Sequence, residues 1–392
     1  MPGVEKKGRR RAMIVAGEAS ADLHAAKVIR EAKALDPDLS FFGVGGETMV
    51  KEGCEILIPA EELSVMGLVE VLGHFPVIWR AFQRLKKILH SSEAPDVLVL
   101  LDMPDFNLRL ANEAKKAGVP VLYFISPQVW AWRQGRVKKI ASVVDRLATI
   151  FPFEPLYYKG LDIDVEYVGH PLLDEVQVAC ERQGYLNALG IDPSLPVVGL
   201  FPGSRRSELR YNLDTLVQSA QAIQRERPEV SFLLPVAPTL AEEHFEQTLG
   251  GLDLPVTLVR RDIYDAINAC DAILTVSGTV TLQIALVGTP MAICYKMAPL
   301  SYAIGRRLVR VSHIGLANVV AGRGVVREFI QDQATPEALA GEVEKILLDE
   351  EYNGEMRRGL AEIKDRMGEP GCSERVALMA SEMSRQSAPG RA

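Results

Sequence analysis

Apolar positions in this chain follow two alternating patterns. Short, unbroken runs rich in Val, Ile and Leu occur at Ala12–Ala16, Phe41–Val44, Val97–Leu101, Val121–Ile125, Leu147–Ile150 and Val165–Val168. After a gap they resume at Val197–Phe201, Phe232–Pro235, Val256–Val259, Ala272–Val276 and Met291–Cys294. Runs without polar alternation predict strands buried on both faces, as in parallel sheets. Between them, patterns of helical period such as Ser20–Leu35 and Leu213–Arg227 predict the crossover helices that parallel strands require. The series divides near residues 170–195, where Gly169-His170-Pro171 leads into a polar stretch and the loop Gly190–Pro196. The expected fold class is therefore α/β, with two doubly wound, Rossmann-like parallel-sheet domains over 1–170 and 171–345. A strandless helical tail over 346–392 must pack on one of them or on a partner subunit.

One helical pattern stands apart. Across Leu68–Leu89 the apolar positions 68, 71, 72, 75, 78, 79, 82, 85 and 89 share one arc, with Glu70, His74, Arg80, Arg84 and Lys87 opposite. Pro76 predicts a break into two helices. A core-packed helix explains the pattern. So does a helix lying on an anionic membrane with Phe75, Ile78, Trp79 and Phe82 inserted, and Val65, Met66 and Val69 add apolar bulk beyond one buried face. No spanning helix is expected. The longest uncharged run, Ala272–Tyr295, is interrupted by Thr, Ser, Gln, Gly and Pro, and the apolar stretch after the basic N-terminus ends at Glu18.

Composition narrows the class. At 392 residues the chain holds about two or three domains. A hydrophobic share of 48% and a charged share of 24% describe an ordinary globular protein rather than a disordered one. The net charge of −7 offers no bulk positive field for a nucleic-acid backbone. The cysteines, Cys54, Cys180, Cys270, Cys294 and Cys372, are odd in number and lack CxxC spacing, which fits a reducing cytoplasm and neither a zinc knuckle nor a disulfide framework. No His, Asp or Glu cluster has the spacing of a metal site.

Because ligands of open parallel sheets bind beyond the carboxyl ends of strands, the segments just after strands carry the candidate chemistry. Gly17-Glu18-Ala19-Ser20-Ala21-Asp22 opens a helix but is not GxGxxG. Glu18 reads either as a first-turn carboxylate or as a substrate-facing group. Asp102-Met103-Pro104-Asp105-Phe106-Asn107 sets a carboxylate at the mouth of a buried strand, as a loop of turn-formers or as a general base at Asp102. Ser126-Pro127-Gln128-Val129-Trp130-Ala131-Trp132-Arg133 joins aromatics to cations, as packing under a loop or, through Trp132 and Arg133, as a surface for an amphiphilic phosphate ester. In the second half, Gly203-Ser204-Arg205 offers close approach, a hydroxyl and a guanidinium fork, without the lysine of a P-loop. Ser277-Gly278-Thr279 opens a helix whose free N–H groups suit a diphosphate, and Gln283 lies one turn further on the same face. Asn318, between Arg-rich stretches, reads as a loop residue or as a polar substrate contact. His170 reads as structural.

Taken together, AGEASAD, VMGLVEVL, DMPDFN, SPQVWAWR, PFE, VGHP, PGSR, SGT and NVVAGR, in order from Ala16 to Arg323, resemble the lipid-A-disaccharide synthase family, glycosyltransferase family 19 of Gram-negative bacteria. The VMGxVEVL and SPxVWAWR pieces are the specific ones. The resemblance implies a GT-B fold, two Rossmann-like domains facing a central cleft. It implies UDP-2,3-diacylglucosamine as donor, 2,3-diacylglucosamine 1-phosphate as acceptor, and a β-1,6-linked disaccharide phosphate plus UDP as products. A single displacement would invert the configuration, and with no DxD-like pair the cationic groups would hold the leaving diphosphate without a metal or other cofactor. It casts Asp102 as the base and Glu18, Arg205 and Asn318 as site residues. It makes Val65, Met66, Leu68, Val69, Leu72, Phe75 and Trp79 a face toward the cytoplasmic surface of the inner membrane, and lets the tail cross back or exchange within a homodimer. The chain departs from the family at Gln283, where Glu is usual, and in GEASAD, where GETSGD is common. Another UDP-sugar transferase or an epimerase of the same fold stays open as an alternative, as does a non-catalytic sugar-nucleotide binder. The missing GxGxxG disfavours a dehydrogenase.

Overall fold

The computed structural model describes residues 10–63, 68–131, 135–238, 240–241, 243–308 and 312–386. Two compact units divide them: residues up to Pro171 together with those from Glu369 onward, and Leu172–Gly368. Each unit is built on one all-parallel sheet.

In the first unit β1 (Arg10–Ala16), β2 (Leu39–Gly45), β3 (Glu55–Pro59), β4 (Val97–Leu101), β5 (Val121–Phe124), β6 (Arg146–Thr149) and β7 (Asp164–Tyr167) lie in the order β3-β2-β1-β4-β5-β6-β7. In the second, β8 (Val197–Phe201), β9 (Ser231–Pro235), β10 (Val256–Val259), β11 (Ala272–Val276), β12 (Met291–Tyr295) and β13 (Glu328–Ile330) lie in the order β10-β9-β8-β11-β12-β13. Both orders turn back between the first and fourth strands of their sheet, the doubly wound topology.

The unbroken apolar runs have a direct cause. Successive residues of β1 point to opposite faces, so Ala12, Ile14 and Ala16 enter one core while Met13 and Val15 enter the other. Helices Ala19–Leu35 and Cys372–Gln386 cover the first face. Helices Leu68–Leu89, Pro104–Lys116 and Arg136–Val143 cover the second.

Two edge strands, β3 and β13, escape the sequence pattern. An edge strand buries only part of its length. β3 carries exposed Glu55 and Pro59 at its ends, and β13 has three residues with Phe329 alone buried. The expected break at Pro76 is absent: the helix runs through Leu68–Leu89 with Pro76 inside. Proline removes a single ladder bond, its own N–H to the carbonyl four residues earlier, and the rest of the helical ladder continues past it. Ile78 and Phe82 belong to the core of this unit rather than to an inserted face. Both pack against its buried cluster, and Phe82 meets Phe106 edge-on at 5.8 Å.

The tail also divides differently from the expected boundary at residue 346. Helices Pro336–Leu348 and Glu350–Met367 stay with the second unit, where Leu339, Val343, Met356, Leu360 and Ile363 are buried. Only the last helix, Cys372–Gln386, joins the first unit, laying Val376, Ala377, Met379, Ala380 and Met383 against helix Ala19–Leu35 and the sheet. A polar clasp fixes it. The buried Asp36 carboxylate accepts from Arg10 at 2.6 Å, from Arg385 at 3.0 Å and from the Ser381 hydroxyl. Arg146 donates to Glu382 at 2.8 Å.

Burial alone would raise the Asp36 carboxyl, but the bonds from Ser381, Arg10 and Arg385 outweigh it and hold the group below its usual range. The stabilisation is therefore present above the ordinary carboxylate pKa of about 3.9 and fades as the pH falls below it. Asp36→Ala should cost about 3 kcal/mol near pH 7, the low end for breaking a buried ion pair because both arginines keep some solvent. The urea midpoint of the first unit reads it.

Candidate functional site

The motifs after strands converge on the two topological switch points. In the first unit Gly17 and Glu18 follow β1, and Asp102 follows its neighbour β4. In the second, Pro202–Arg205 follow β8, and Ser277–Thr279 follow its neighbour β11. These are the crevices where doubly wound sheets bind ligands.

The backbone after β4 is strained. Asp102 and Met103 both sit in the left-handed region, at φ of 50° and 43°. Asp tolerates that region, whereas an unbranched Met there costs about 1 kcal/mol or more. The Asp102 carbonyl accepts from the Asn107 amide at 2.7 Å and from the Tyr123 hydroxyl at 2.6 Å, and the same Asn107 nitrogen donates to the Leu101 carbonyl at 2.9 Å. The loop after β1 lies directly against this turn: a Cβ added at Gly17 would fall 1.8 Å from the Met103 sulfur. A larger residue there would have to push the Met103 side chain aside. Burial pushes the Asp102 carboxyl up to about 6, and the charge of Glu18 adds to the shift. Glu18 itself is exposed. A half-buried carboxyl near 6 beside a second acid can take a proton close to neutral pH.

The segment after β5 begins with Ile125 at φ 54°. Trp130 is buried and packs edge-on against Phe151 and Phe153, at 5.8 and 5.3 Å. Its indole N–H donates to Glu154 at 3.2 Å, and the other oxygen of Glu154 accepts from the Ile150 and Phe151 amides at 3.0 Å. Burial raises this carboxyl to about 7 and lowers His170, in ring contact with Phe151, to about 3, so His170 is neutral at working pH. Trp132 and Arg133 lie outside the described residues, as do Val65 and Met66 and the side chains of Leu68, Val69, Leu72 and Phe75. Trp79 is 49% exposed and stacks on Phe82 at 6.1 Å.

The second unit encloses a cavity of about 590 Å³ over its switch point, walled by Gly203, Ser204, Arg205, Ser277, Gly278, Thr279 and Gln283. Gly203 has φ 101°, and a Cβ there would fall 2.3 Å from the Glu208 carboxylate. That carboxylate accepts from the Ser204 and Arg205 amides at 2.9 and 3.2 Å and fixes the loop to helix Arg206–Glu226. The Arg205 guanidinium stays 77% exposed, 3.7 Å from Glu208. Gly278 leaves open space before the first turn of helix Thr279–Val287, whose N–H groups end at the cavity. The Ser277 hydroxyl donates to the Ile314 carbonyl at 2.8 Å and braces that turn. Gln283 donates its amide to the Tyr264 hydroxyl at 3.3 Å. A guanidinium and a helix N-terminus facing one cavity suit a diphosphate.

Asn318 has a different place from that of a substrate contact. It is fully buried, donates to the Val326 carbonyl and to Glu328, both at 2.8 Å, and accepts from the Val325 and Val326 amides. Every bond its side chain can make is spent on the loop ahead of β13. The sequence reading also passes over Arg260, Arg261 and Asp262, which wall the cavity directly after β10, with Asp262 at φ 57°. The after-strand rule applied to β10 would have found them.

A family model described as lipid-A-disaccharide synthetase matches residues 12–380. A lipid-A-disaccharide synthase of Syntrophotalea carbinolica is 64% identical over 387 residues, covering 99% of this chain and 98% of that one. A lipid-A-disaccharide synthase of Geobacter metallireducens is 50% identical, covering 95% and 97%. Among solved structures, UDP-GlcNAc 2-epimerase of Neisseria meningitidis bound to UDP-GlcNAc matches with a TM-score of 0.59 at 11% identity, covering 96% of this chain and 100% of that one. MurG of Acinetobacter baumannii matches with 0.57 at 14%, covering 95% and 99%. At such identities the structural likeness shows the fold alone, GT-B.

Proposed function

The chain belongs to the lipid-A-disaccharide synthase family, a family of glycosyltransferases, and from that premise we propose how its residues carry out the transfer. The donor is UDP-2,3-diacylglucosamine and the acceptor 2,3-diacylglucosamine 1-phosphate. The second unit holds the uridine diphosphate: Arg205 and the amides opening helix Thr279–Val287 meet the two phosphates, and Gln283 meets a ribose hydroxyl through its amide. The first unit deprotonates the acceptor. Asp102 takes the proton from the 6-hydroxyl as its oxygen forms a bond to the anomeric carbon. The bond from that carbon to the diphosphate oxygen breaks, and UDP leaves with the electron pair. One displacement inverts the configuration, and cationic groups already present neutralise the leaving charge. The observation that carries this reading is the carboxyl at the first switch point, raised to about 6.

The acyl chains place both substrates at a lipid surface. Among the described residues no helix is long and apolar enough to cross a membrane. The basic, amphipathic helix Leu68–Leu89 with its half-exposed Trp79 supports peripheral attachment. Cosedimentation with anionic vesicles, absent with neutral ones, checks that attachment. The reaction is tested by supplying both substrates in detergent micelles and following mass. A β-1,6 disaccharide phosphate appearing in step with UDP is expected; UDP release without disaccharide, or no product, would count against the assignment.

A further inference from the structure

The turn after β4 is held far more firmly than a strand-to-helix connection needs. We propose that Asn107 and Tyr123 are positioning residues for the transfer, clamping the main chain at Asp102 in its left-handed form so that the carboxyl is oriented for proton transfer. The proposal rests on the reading of Asp102 as the base.

Three elements meet at one point. β4 ends at Leu101, the adjacent β5 supplies Tyr123, and the helix Pro104–Lys116 supplies Asn107 from its first turn. Asn107 bridges two successive carbonyls, those of Leu101 and Asp102, at 2.9 and 2.7 Å. Tyr123 adds a second donor to the Asp102 carbonyl at 2.6 Å. Both side chains are fully buried. Among the described residues the Asn107 amide oxygen has no hydrogen-bond partner, so its donors, and not a saturated network, account for its place. Burial and the neighbouring Asp102 charge push the Tyr123 hydroxyl far above its usual range and keep it a donor at every working pH. A glycine after Asp102 would remove the strain at position 103. The chain instead keeps Met103, whose side chain meets Gly17, and opposes the strain with three hydrogen bonds. The clamp grips the carbonyl and leaves the carboxylate free.

The test is the pH profile of kcat for Tyr123→Phe beside wild type and Asp102→Asn, with UDP affinity as a check that the second unit is unaffected. The clamp predicts a fall in kcat of about tenfold or more with the donor KM unchanged, and an acidic limb displaced by about half a pH unit or more toward the ordinary carboxylate value as Asp102 relaxes into water. Should Tyr123→Phe fail to fold, Asn107→Ser removes the two amide donors and is read in the same way. Turnover within about twofold of wild type and an unmoved limb, where Asp102→Asn is inactive, would overturn the clamp alone. Lower stability with an unmoved limb would do the same, since that marks a structural role. Full turnover in Asp102→Asn would remove the base and the clamp together.

Discussion

Asp102→Asn is expected to lower kcat by about 10²–10⁴-fold, the usual contribution of a positioned general base, and to leave the donor KM nearly unchanged. An amide matches the carboxylate in shape but cannot take the acceptor proton. The scaffold should survive, because Asn107 and Tyr123 hold the carbonyl of residue 102 and not its side chain. Asn also tolerates the left-handed backbone that the position demands, φ 50°. Nucleotide affinity belongs to the cavity of the second unit and should persist. Steady-state kinetics with a UDP-binding titration separate these quantities. A variant that folds, binds UDP and turns over at the wild-type rate would remove Asp102 from the mechanism.

Arg205→Ala should cost about 10²–10³-fold in kcat, the loss expected when one preorganised group is withdrawn from a developing negative charge. Its weakened UDP affinity should appear in calorimetry. At 77% exposed and no nearer than 3.7 Å to Glu208, the guanidinium contributes little to the fold, so thermal stability should stay within about 0.5 kcal/mol of wild type. Arg205→Lys keeps the charge but loses the two-pronged grip, and a partial recovery is expected. Equal stability, affinity and turnover in Arg205→Ala would show that the diphosphate is held without Arg205, by the helix N-terminus or by Arg260 and Arg261 in the same cavity wall.

Much of this fold is written in hydrophobicity because its central strands are covered on both faces. β1, β4, β8 and β11 read as apolar runs for the reason that makes them central, and the motif-bearing loops follow their ends. β3 and β13 were hidden because an edge strand needs no such run. The amphipathic helix showed its period but not its partners, and Ile78 and Phe82 could not be assigned to core or membrane until Phe106 was seen beside Phe82. The candidate site was legible where a residue's chemistry is local, as at Asp102 and Arg205. It was illegible where role depends on tertiary partners. Asn318 has the composition of a contact residue, yet its loop consumes all its bonds. Asn107 and Tyr123 look like an ordinary turn-former and an ordinary strand aromatic until the strand, its neighbour and the next helix converge on one carbonyl. The tail's division at Gly368 likewise depends on which sheet face lacks a cover, a property of the packed units.

The most direct single measurement is kcat for disaccharide formation from pH 5 to 8. The carboxyl at residue 102, raised to about 6 by burial and then by Glu18, must be ionised to act, so activity should climb through a midpoint near 6 and level off above it. A rate that stays flat across that interval, or a climb that persists unchanged in Asp102→Asn, would show that the proton goes elsewhere.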